Sequence, residues 1–183
     1  MAATLKKNIW FFSSDDGVAP QVVTRLIAAS QGIFMPGAPC YISTSGTVKL
    51  ADTSDGTGDV VHGFIVGCAN ADTVWPLEAQ LAANTEVKVA LISLNHLYAI
   101  YVENAGSDSA LAQAQVGNSY GLTVATTPAG SIGYTTLNIA NSYATVNVVN
   151  GMFNVEPLRN AAADNPGIAL VRFLNANVNA VKA

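Results

Sequence analysis

The feature that most constrains the fold is a series of short apolar runs separated by turn-forming residues. From residue 32 onward these runs are bounded by Gly, Asn, Asp, Ser or Pro, and many alternate apolar with polar residues. Short runs of this kind, rich in β-branched and aromatic residues, are typical of strands in all-β domains. The sequence therefore predicts a mainly β protein. We expect an antiparallel β-barrel or β-sandwich with one or two short helices and an N-terminal arm.

Local patterns predict where the strands lie. They are expected over residues 40–43, 47–51, 60–69, 85–93, 97–103, 120–126, 133–140, 144–155 and 168–174. Asn95-His96 is a short turn, which predicts that the strands before and after it form a hairpin. Asn150-Gly151 is a type I′ turn signal inside the run 144–155.

Two glycines stand out in the strand predicted over residues 60–69. This run (VVHGFIVGCA) is nearly continuous in apolar residues, so we expect it to be buried on both faces or nearly so. Gly63 and Gly67 lie four residues apart in it. Glycine inside a strand marks a bulge, a tight bend or the close approach of another backbone.

The first 31 residues differ from the rest. We predict an N-terminal arm at residues 1–31 and a β-rich body at residues 32–183. Within the arm, the apolar spacing of residues 20–30 fits a short amphipathic helix, while the β-branched Val22-Val23 fit a strand followed by a turn equally well. A second short helix is predicted over residues 109–116, between a Ser-Asp cap and a Gly-Asn stop.

The chain carries little charge. Charged residues make up 11% of the 183 residues, against about 25% in an average soluble protein. Eight Lys and Arg with a net charge of -4 do not form a basic patch, so we predict no nucleic-acid partner. Low charge favours a protein that works among copies of itself and its partners, because interface cores are depleted of charge. The alternative is a neutral β protein of low charge density.

No apolar run is long enough to span a membrane, because Gly, Asn, Asp or Ser interrupts each one, and we predict no membrane partner. The N-terminal residues do not fit an export signal. Cys40 and Cys68 each lie in an apolar run, and we expect both to be reduced core thiols. A disulfide between them is the alternative.

No pattern predicts catalysis, a cofactor or a metal. His62 lies in a buried-looking run and His96 at a turn, and both are expected to be structural or solvated. Asp52, Asp55 and Asp59 in DTSDGTGD could wrap a hard cation through their oxygens. Their spacing does not match an EF-hand loop, so we expect an ordinary polar loop.

The best binding candidate is the aromatic cluster Trp10, Phe11 and Phe12. Aromatic side chains make efficient anchors in a partner's pocket, so we predict a protein interface here. The alternative is that this part of the arm folds back as a strand of the protein's own core.

Two stretches carry a resemblance to a known family. Residues 32–51 (GIFMPGAPCYISTSGTVKLA) and residues 62–67 (HGFIVG) are similar to the capsid decoration, or cement, proteins of tailed bacteriophages. Those proteins carry Gly-x-Pro-Val and Gly-Ile/Val-x-Gly phrases on a small β-barrel or β-sandwich. VGNSYGL at residues 116–122 and LVRF at residues 170–173 extend the likeness over residues 32–174, which leaves out the arm.

The resemblance implies a virion structural protein with no catalytic residue. Such a protein binds the major capsid protein on the outer surface of the capsid, as a homo-oligomer (dimer or trimer). It is made in the host cytoplasm and needs no cofactor. A second hypothesis is a tail-associated or surface carbohydrate-binding adhesion module. Its sugar site would use aromatic platforms beside polar side chains: Trp75 near Asp72 and Glu78, or Tyr134 and Tyr143 near Asn138 and Asn141.

Overall fold

The structure is a computed structural model. It describes residues 9–29, 37–51, 61–68, 83–105, 107–115, 117–124, 135–142, 152–157 and 167–173. Within these ranges the chain forms two β-sheets, and the helical content is a single 3-10 turn at Gln113–Gln115. The predicted mainly β class is confirmed. No helix in this part of the chain is long and apolar enough to cross a membrane.

The described strands, in chain order, are β1 (Ile9–Ser14), β2 (Val22–Leu26), β3 (Pro39–Ile42), β4 (Val48–Leu50), β5 (Gly63–Cys68), β6 (Glu86–Leu91), β7 (His96–Asn104), β8 (Ser107–Asp108), β9 (Ser119–Val124), β10 (Thr135–Ser142), β11 (Met152–Pro157) and β12 (Ile168–Phe173). The larger sheet has the order β1-β7-β10-β9-β11-β12, with β8 paired to β7. The smaller sheet has the order β2-β6-β5-β3-β4. Among the described strands, the pairs are antiparallel except for β7 with β10.

Both sheets curl. In the larger sheet, β12 also pairs with β7. In the smaller sheet, a parallel bridge joins Ile27 to Val48, and the Ala28 amide donates to the Val48 carbonyl at 2.9 Å. This bridge links the two ends of the strand order, so the smaller sheet curves around its own apolar cluster. The members of that cluster are Ile27, Ala38, Cys40, Val48, Ile65, Val87 and Val89.

A second apolar core is shared by the two sheets. Phe64 on β5 lies with its ring centroid 5.6 Å from that of Tyr98 on β7 and 5.6 Å from that of Phe173 on β12. Val61 and Ile92, next to strands of the smaller sheet, belong to the same buried cluster. Two sheets that share a core fit the sandwich form of the prediction.

The described part of the predicted arm contributes one strand to each sheet. β1 pairs with β7 in the larger sheet, and β2 pairs with β6 in the smaller one. The amphipathic helix predicted over residues 20–30 is therefore wrong, and the strand alternative is confirmed. Val22, Val23 and Thr24 are all β-branched, and the edge of β6 supplies the hydrogen bonds that a helix would have made internally.

The second predicted helix, over residues 109–116, is replaced by a shorter 3-10 turn, Gln113–Gln115. The Ala112 amide donates to Oε1 of Gln115 at 2.7 Å, so a side chain satisfies a donor that a longer helix would leave open.

The predicted hairpin around Asn95-His96 is wrong, although both of its strands exist. β6 pairs with β2 and β5, while β7 pairs with β1 on one side and β12 on the other. Both edges of each strand are occupied, so the two cannot pair with each other. The short connection carries the chain from one sheet to the other. His96 is the first residue of β7, not a turn residue.

The other strand predictions agree with the structure to within a few residues at each end. β3 and β4 form a hairpin through a turn at Thr44–Gly46, between the strands predicted over residues 40–43 and 47–51, and Gly46 has a φ of 78°. β11 covers the end of the run 144–155, and the Asn150-Gly151 turn signal lies outside the described residues.

Candidate protein-interaction surface

β1 divides the predicted aromatic cluster between two environments. Side chains alternate across a strand, so Ile9 and Phe11 face the shared core while Trp10 and Phe12 face outward. Trp10 is 39% exposed and Phe12 is 47% exposed. The alternative, that this part of the arm folds as a strand of the protein's own core, is confirmed by the pairing of β1 with β7 and the inward side chains of Ile9 and Phe11. An interface at Trp10 and Phe12 stays a prediction.

β1 stands at the end of the larger sheet and has β7 as its described partner. Its pairing with β7 shifts register between Phe11 and Ser13, which marks a bulge. Bulges occur at sheet edges and turn side chains in new directions. Phe12 lies at this bulge, which accounts for an aromatic ring being left largely in solvent.

An open pocket of about 260 Å³ lies between β1 and the smaller sheet. Its lining is apolar and includes Trp10, Phe11, Pro20, Phe64, Val66 and Ala90. None of the described residues that line it is charged. The pocket is suited to an apolar side chain of a partner.

Exposed apolar side chains surround this pocket. Trp10 and Val66 line it while remaining 39% and 50% exposed. Val22, 54% exposed, pairs with the lining residue Ala90. We call the pocket, with the exposed side chains of Trp10, Val22 and Val66 and that of Phe12 two residues further along β1, the β1 surface. Single exposed apolar residues are ordinary, but several around one apolar pocket are typical of an interaction site.

The aromatic side chains of the β1 surface are supported from behind. The rings of Trp10 and Tyr101 lie 5.6 Å apart at 59°. Phe11 makes edge contacts with His96 at 5.3 Å and Tyr98 at 6.3 Å. Edge and tilted packing of this kind stabilises aromatic pairs. Trp10 and the pocket-lining Phe11 are therefore each held against neighbouring rings of β7.

A polar cluster anchors the end of β1. Nη2 of Arg172, on β12, donates to Oδ1 of Asp15 at 2.6 Å, and Nη1 donates to the Leu94 carbonyl at 3.2 Å. Nδ2 of Asn95 donates to Oδ2 of Asp16 at 3.4 Å. The Val18 amide donates to the Asp16 carboxylate, and this is the main reason that the pKa of Asp16 is lowered.

His96 lies beneath this end of β1. It is 5% exposed, and its Nδ1 is 3.1 Å from the hydroxyl of Tyr98. Burial lowers the pKa of His96, against the opposing effects of the Asp16 carboxylate and a hydrogen bond to the Val18 backbone. Burial also raises the pKa of the Tyr98 hydroxyl.

His62 and Cys40 have structural positions. Nδ1 of His62 accepts from the Ile42 amide at 2.9 Å, which confirms the expected structural role. Cys40 is a buried free thiol whose Sγ donates to the Gly63 carbonyl at 3.4 Å, and burial raises its pKa. The side chain of Cys68 lies outside the described residues.

Most residues of the other hypothetical sites lie outside the described ranges. These are Asp52, Asp55 and Asp59 of the acidic loop, and Trp75, Asp72, Glu78, Tyr134 and Tyr143 of the sugar-site hypothesis. Asn138 is described and buried. Its Oδ1 accepts from the Ala105 amide at 3.3 Å and the Ala140 amide at 3.0 Å, so this oxygen serves the fold. Among the described residues, no His, Cys, Asp or Glu side chains group as a metal site requires.

Sequence reasoning missed Val66 as a surface residue. The run 60–69 was expected to be buried on both faces, and Phe64 and Ile65 are buried as expected, at 3% and 0% exposure. The register shifts between Ile65 and Gly67, and Val66 lies at this bulge. Gly67 was the available signal, since glycine in a strand marks such irregularities.

Comparison of the sequence with models of protein families and with curated proteins finds no match.

Proposed function

We propose that this chain is a virion structural protein that binds the major capsid protein on the outer surface of a bacteriophage capsid and stabilises the lattice. The observation that carries the proposal is the β1 surface, in which the exposed aromatic side chain of Trp10 borders an apolar pocket and exposed Phe12 follows on the same strand. Interfaces derive most of their binding energy from a few such anchors. The resemblance of residues 32–174 to decoration proteins supplies the choice of partner.

In this proposal the pocket receives an apolar side chain of the capsid protein, Trp10 covers that side chain from the rim, and Phe12 makes a further contact beside the pocket. Anchoring of this kind works best when water is excluded from a central cluster. None of the described lining residues is charged, so a charged partner side chain would be buried without a counterion, and an apolar one is favoured.

Lattice stabilisation follows from several contacts acting together. A contact of ordinary size buries about 800 Å² per partner. A dimer or trimer that engages two or three capsid subunits links them, because the second contact forms at high effective concentration. The homo-oligomer is part of the proposal.

The test compares two variants that remove exposed apolar side chains. Trp10→Ser with Phe12→Ser removes the anchors of the β1 surface. Leu26→Ser is the matched control, since Leu26 is 41% exposed and does not line the pocket. The measurement is co-sedimentation with capsids assembled from the major capsid protein encoded in the same genome.

We expect the double variant to bind at least about 30-fold more weakly, which corresponds to the loss of about 2 kcal/mol of anchor energy. Leu26→Ser should bind like the wild type, and both variants should melt as cooperatively as the wild type. Equal binding by all three proteins would contradict the proposed surface. Absence of binding by the wild type would contradict the proposed function.

A further inference from the structure

We propose that His96 is a pH-sensitive latch for β1: its neutral imidazole holds the end of β1 on β7, and its protonation in mildly acidic solution releases that end. The proposal concerns the chain itself and holds whether or not the partner is a capsid.

The position of His96 couples its ring to β1. His96 begins β7 and pairs with Ser14, the last residue of β1. Its ring packs against Phe11, the inward-facing aromatic of the same strand, with the ring planes at 76°. Protonation of this ring therefore changes the contacts that His96 makes with β1.

The neutral ring of His96 can accept a hydrogen bond that the protonated ring cannot. A neutral imidazole has one donor and one acceptor nitrogen. A hydrogen bond to the Val18 backbone favours the protonated ring. In the tautomer that belongs to this proposal, Nδ1 accepts from the Tyr98 hydroxyl, which lies 3.1 Å away.

Protonation breaks this arrangement. Both ring nitrogens become donors, so the Tyr98 hydroxyl loses the acceptor for its own proton. Tyr98 is 3% exposed, so water does not readily replace the lost partner. The new charge also lies among the Phe11 and Tyr98 rings with little access to solvent.

The charged and titratable groups around His96 do not reverse this conclusion. Among the described residues they are Asp15 and Asp16 after β1, Tyr98 on β7, and Arg172 on β12. Asp16 favours the imidazolium, but burial is the larger effect. The carboxylate of Asp15 is engaged by Arg172. The Val18 amide lowers the pKa of Asp16, so this carboxylate is still charged in the mildly acidic range where a histidine of ordinary pKa, about 6.5, gains its proton.

Because burial lowers the pKa of His96, acid favours the state in which the end of β1 is open. An opened state, in which His96 meets water, binds a proton more readily than the closed state. Opening is therefore favoured as the pH falls below the ordinary histidine value of about 6.5, by at most about tenfold per pH unit. The population of the opened state stops increasing once the pH is below the pKa that His96 has in the closed state.

The experiment measures amide hydrogen exchange by mass spectrometry on the full chain from pH 7.5 to pH 5, corrected for the intrinsic rate. Protection of residues 9–14 should fall by up to about tenfold per pH unit below pH 6.5, while that of β6 should stay constant. His96→Gln should keep protection of residues 9–14 independent of pH. His62→Gln, the matched control, should keep the wild-type loss.

Unchanged protection of residues 9–14 in the wild type would overturn the proposal. The same loss in His96→Gln, or an equal loss in β6, would do so as well. If His96→Gln does not fold, NMR titration of the wild type decides. A His96 midpoint below 6.5, shared by the Phe11 ring signals, supports the latch. A midpoint at 6.5 or above, or unresponsive Phe11 signals, refutes it.

Discussion

At Gly63 the backbone of β5 comes so close to β6 that a side chain has no room. A Cβ there would collide with the Ala90 carbonyl oxygen and would lie 2.6 Å from Cγ1 of Val89. Both neighbours belong to a paired strand and cannot move without disturbing the smaller sheet. At Gly67, four residues further along the same strand, a Cβ would meet nothing within 4 Å.

This difference predicts the outcome of two substitutions. Gly63→Ala should lower the free energy of unfolding by about 1–3 kcal/mol, because overpacking displaces β5 from β6. Gly67→Ala should change it by no more than about 1 kcal/mol, since alanine fits there and restricts the unfolded chain. Chemical denaturation of both variants measures this. Equal stability of the two would show that β5 and β6 are further apart than described.

At the scale of the elements, β1 is attached at its end by the ion pair between Asp15 and Arg172. The pair is short, at 2.6 Å, but the Asp15 side chain is 59% exposed and that of Arg172 is 25% exposed. Exposed pairs contribute little, because water screens them and side-chain entropy opposes them. Most of the attachment of β1 must therefore come from its pairing with β7 and the burial of Ile9 and Phe11.

Asp15→Asn accordingly should lower the free energy of unfolding by less than about 1 kcal/mol in dilute buffer. The difference from the wild type should vanish in about 1 M salt, where screening acts over about 3 Å. Denaturation curves at the two salt concentrations provide the measurement. A loss above 2 kcal/mol that persists in high salt would mean that the pair is a principal tie of the strand.

The elements also show what sequence reasoning can and cannot reach. The turn at Thr44–Gly46 was predictable because its chemistry is local: Gly46 takes the positive φ, and the Ser43 amide bonds the Thr47 carbonyl at 2.9 Å. The pairing of β6 with β2 could not be predicted in this way, because the partner of a strand is set by segments that are distant in the sequence. The same limit applies to the site. Trp10 and Phe12 were identified by composition, whereas Val66 joins them only through the fold.

At the scale of the whole molecule, the core shared by the two sheets should make them unfold together. Phe64 is 3% exposed and contacts aromatic rings from two strands of the larger sheet. Each sheet also has apolar residues of its own, so the shared cluster is what couples them.

Phe64→Ala should therefore lower the free energy of unfolding by about 3–5 kcal/mol, the usual effect of emptying a buried aromatic site. In the wild type, far-ultraviolet circular dichroism and near-ultraviolet circular dichroism should give coincident unfolding curves. Two separate transitions in the wild type, with only one of them moved by Phe64→Ala, would show that the sheets fold independently.

We propose that many copies of this chain bind a viral shell through an apolar surface, and titration of capsids at low and high salt measures whether they do. The chain has 8 Lys and Arg and 12 Asp and Glu in 183 residues, and the described residues that line the pocket carry no charge. We predict saturable binding in a fixed ratio to capsid subunits. The affinity should be nearly equal at about 0.1 M and 0.5 M salt, because screening acts on charges and leaves apolar contacts intact. Binding that is absent under both conditions, or that is lost at the higher salt, would contradict the account.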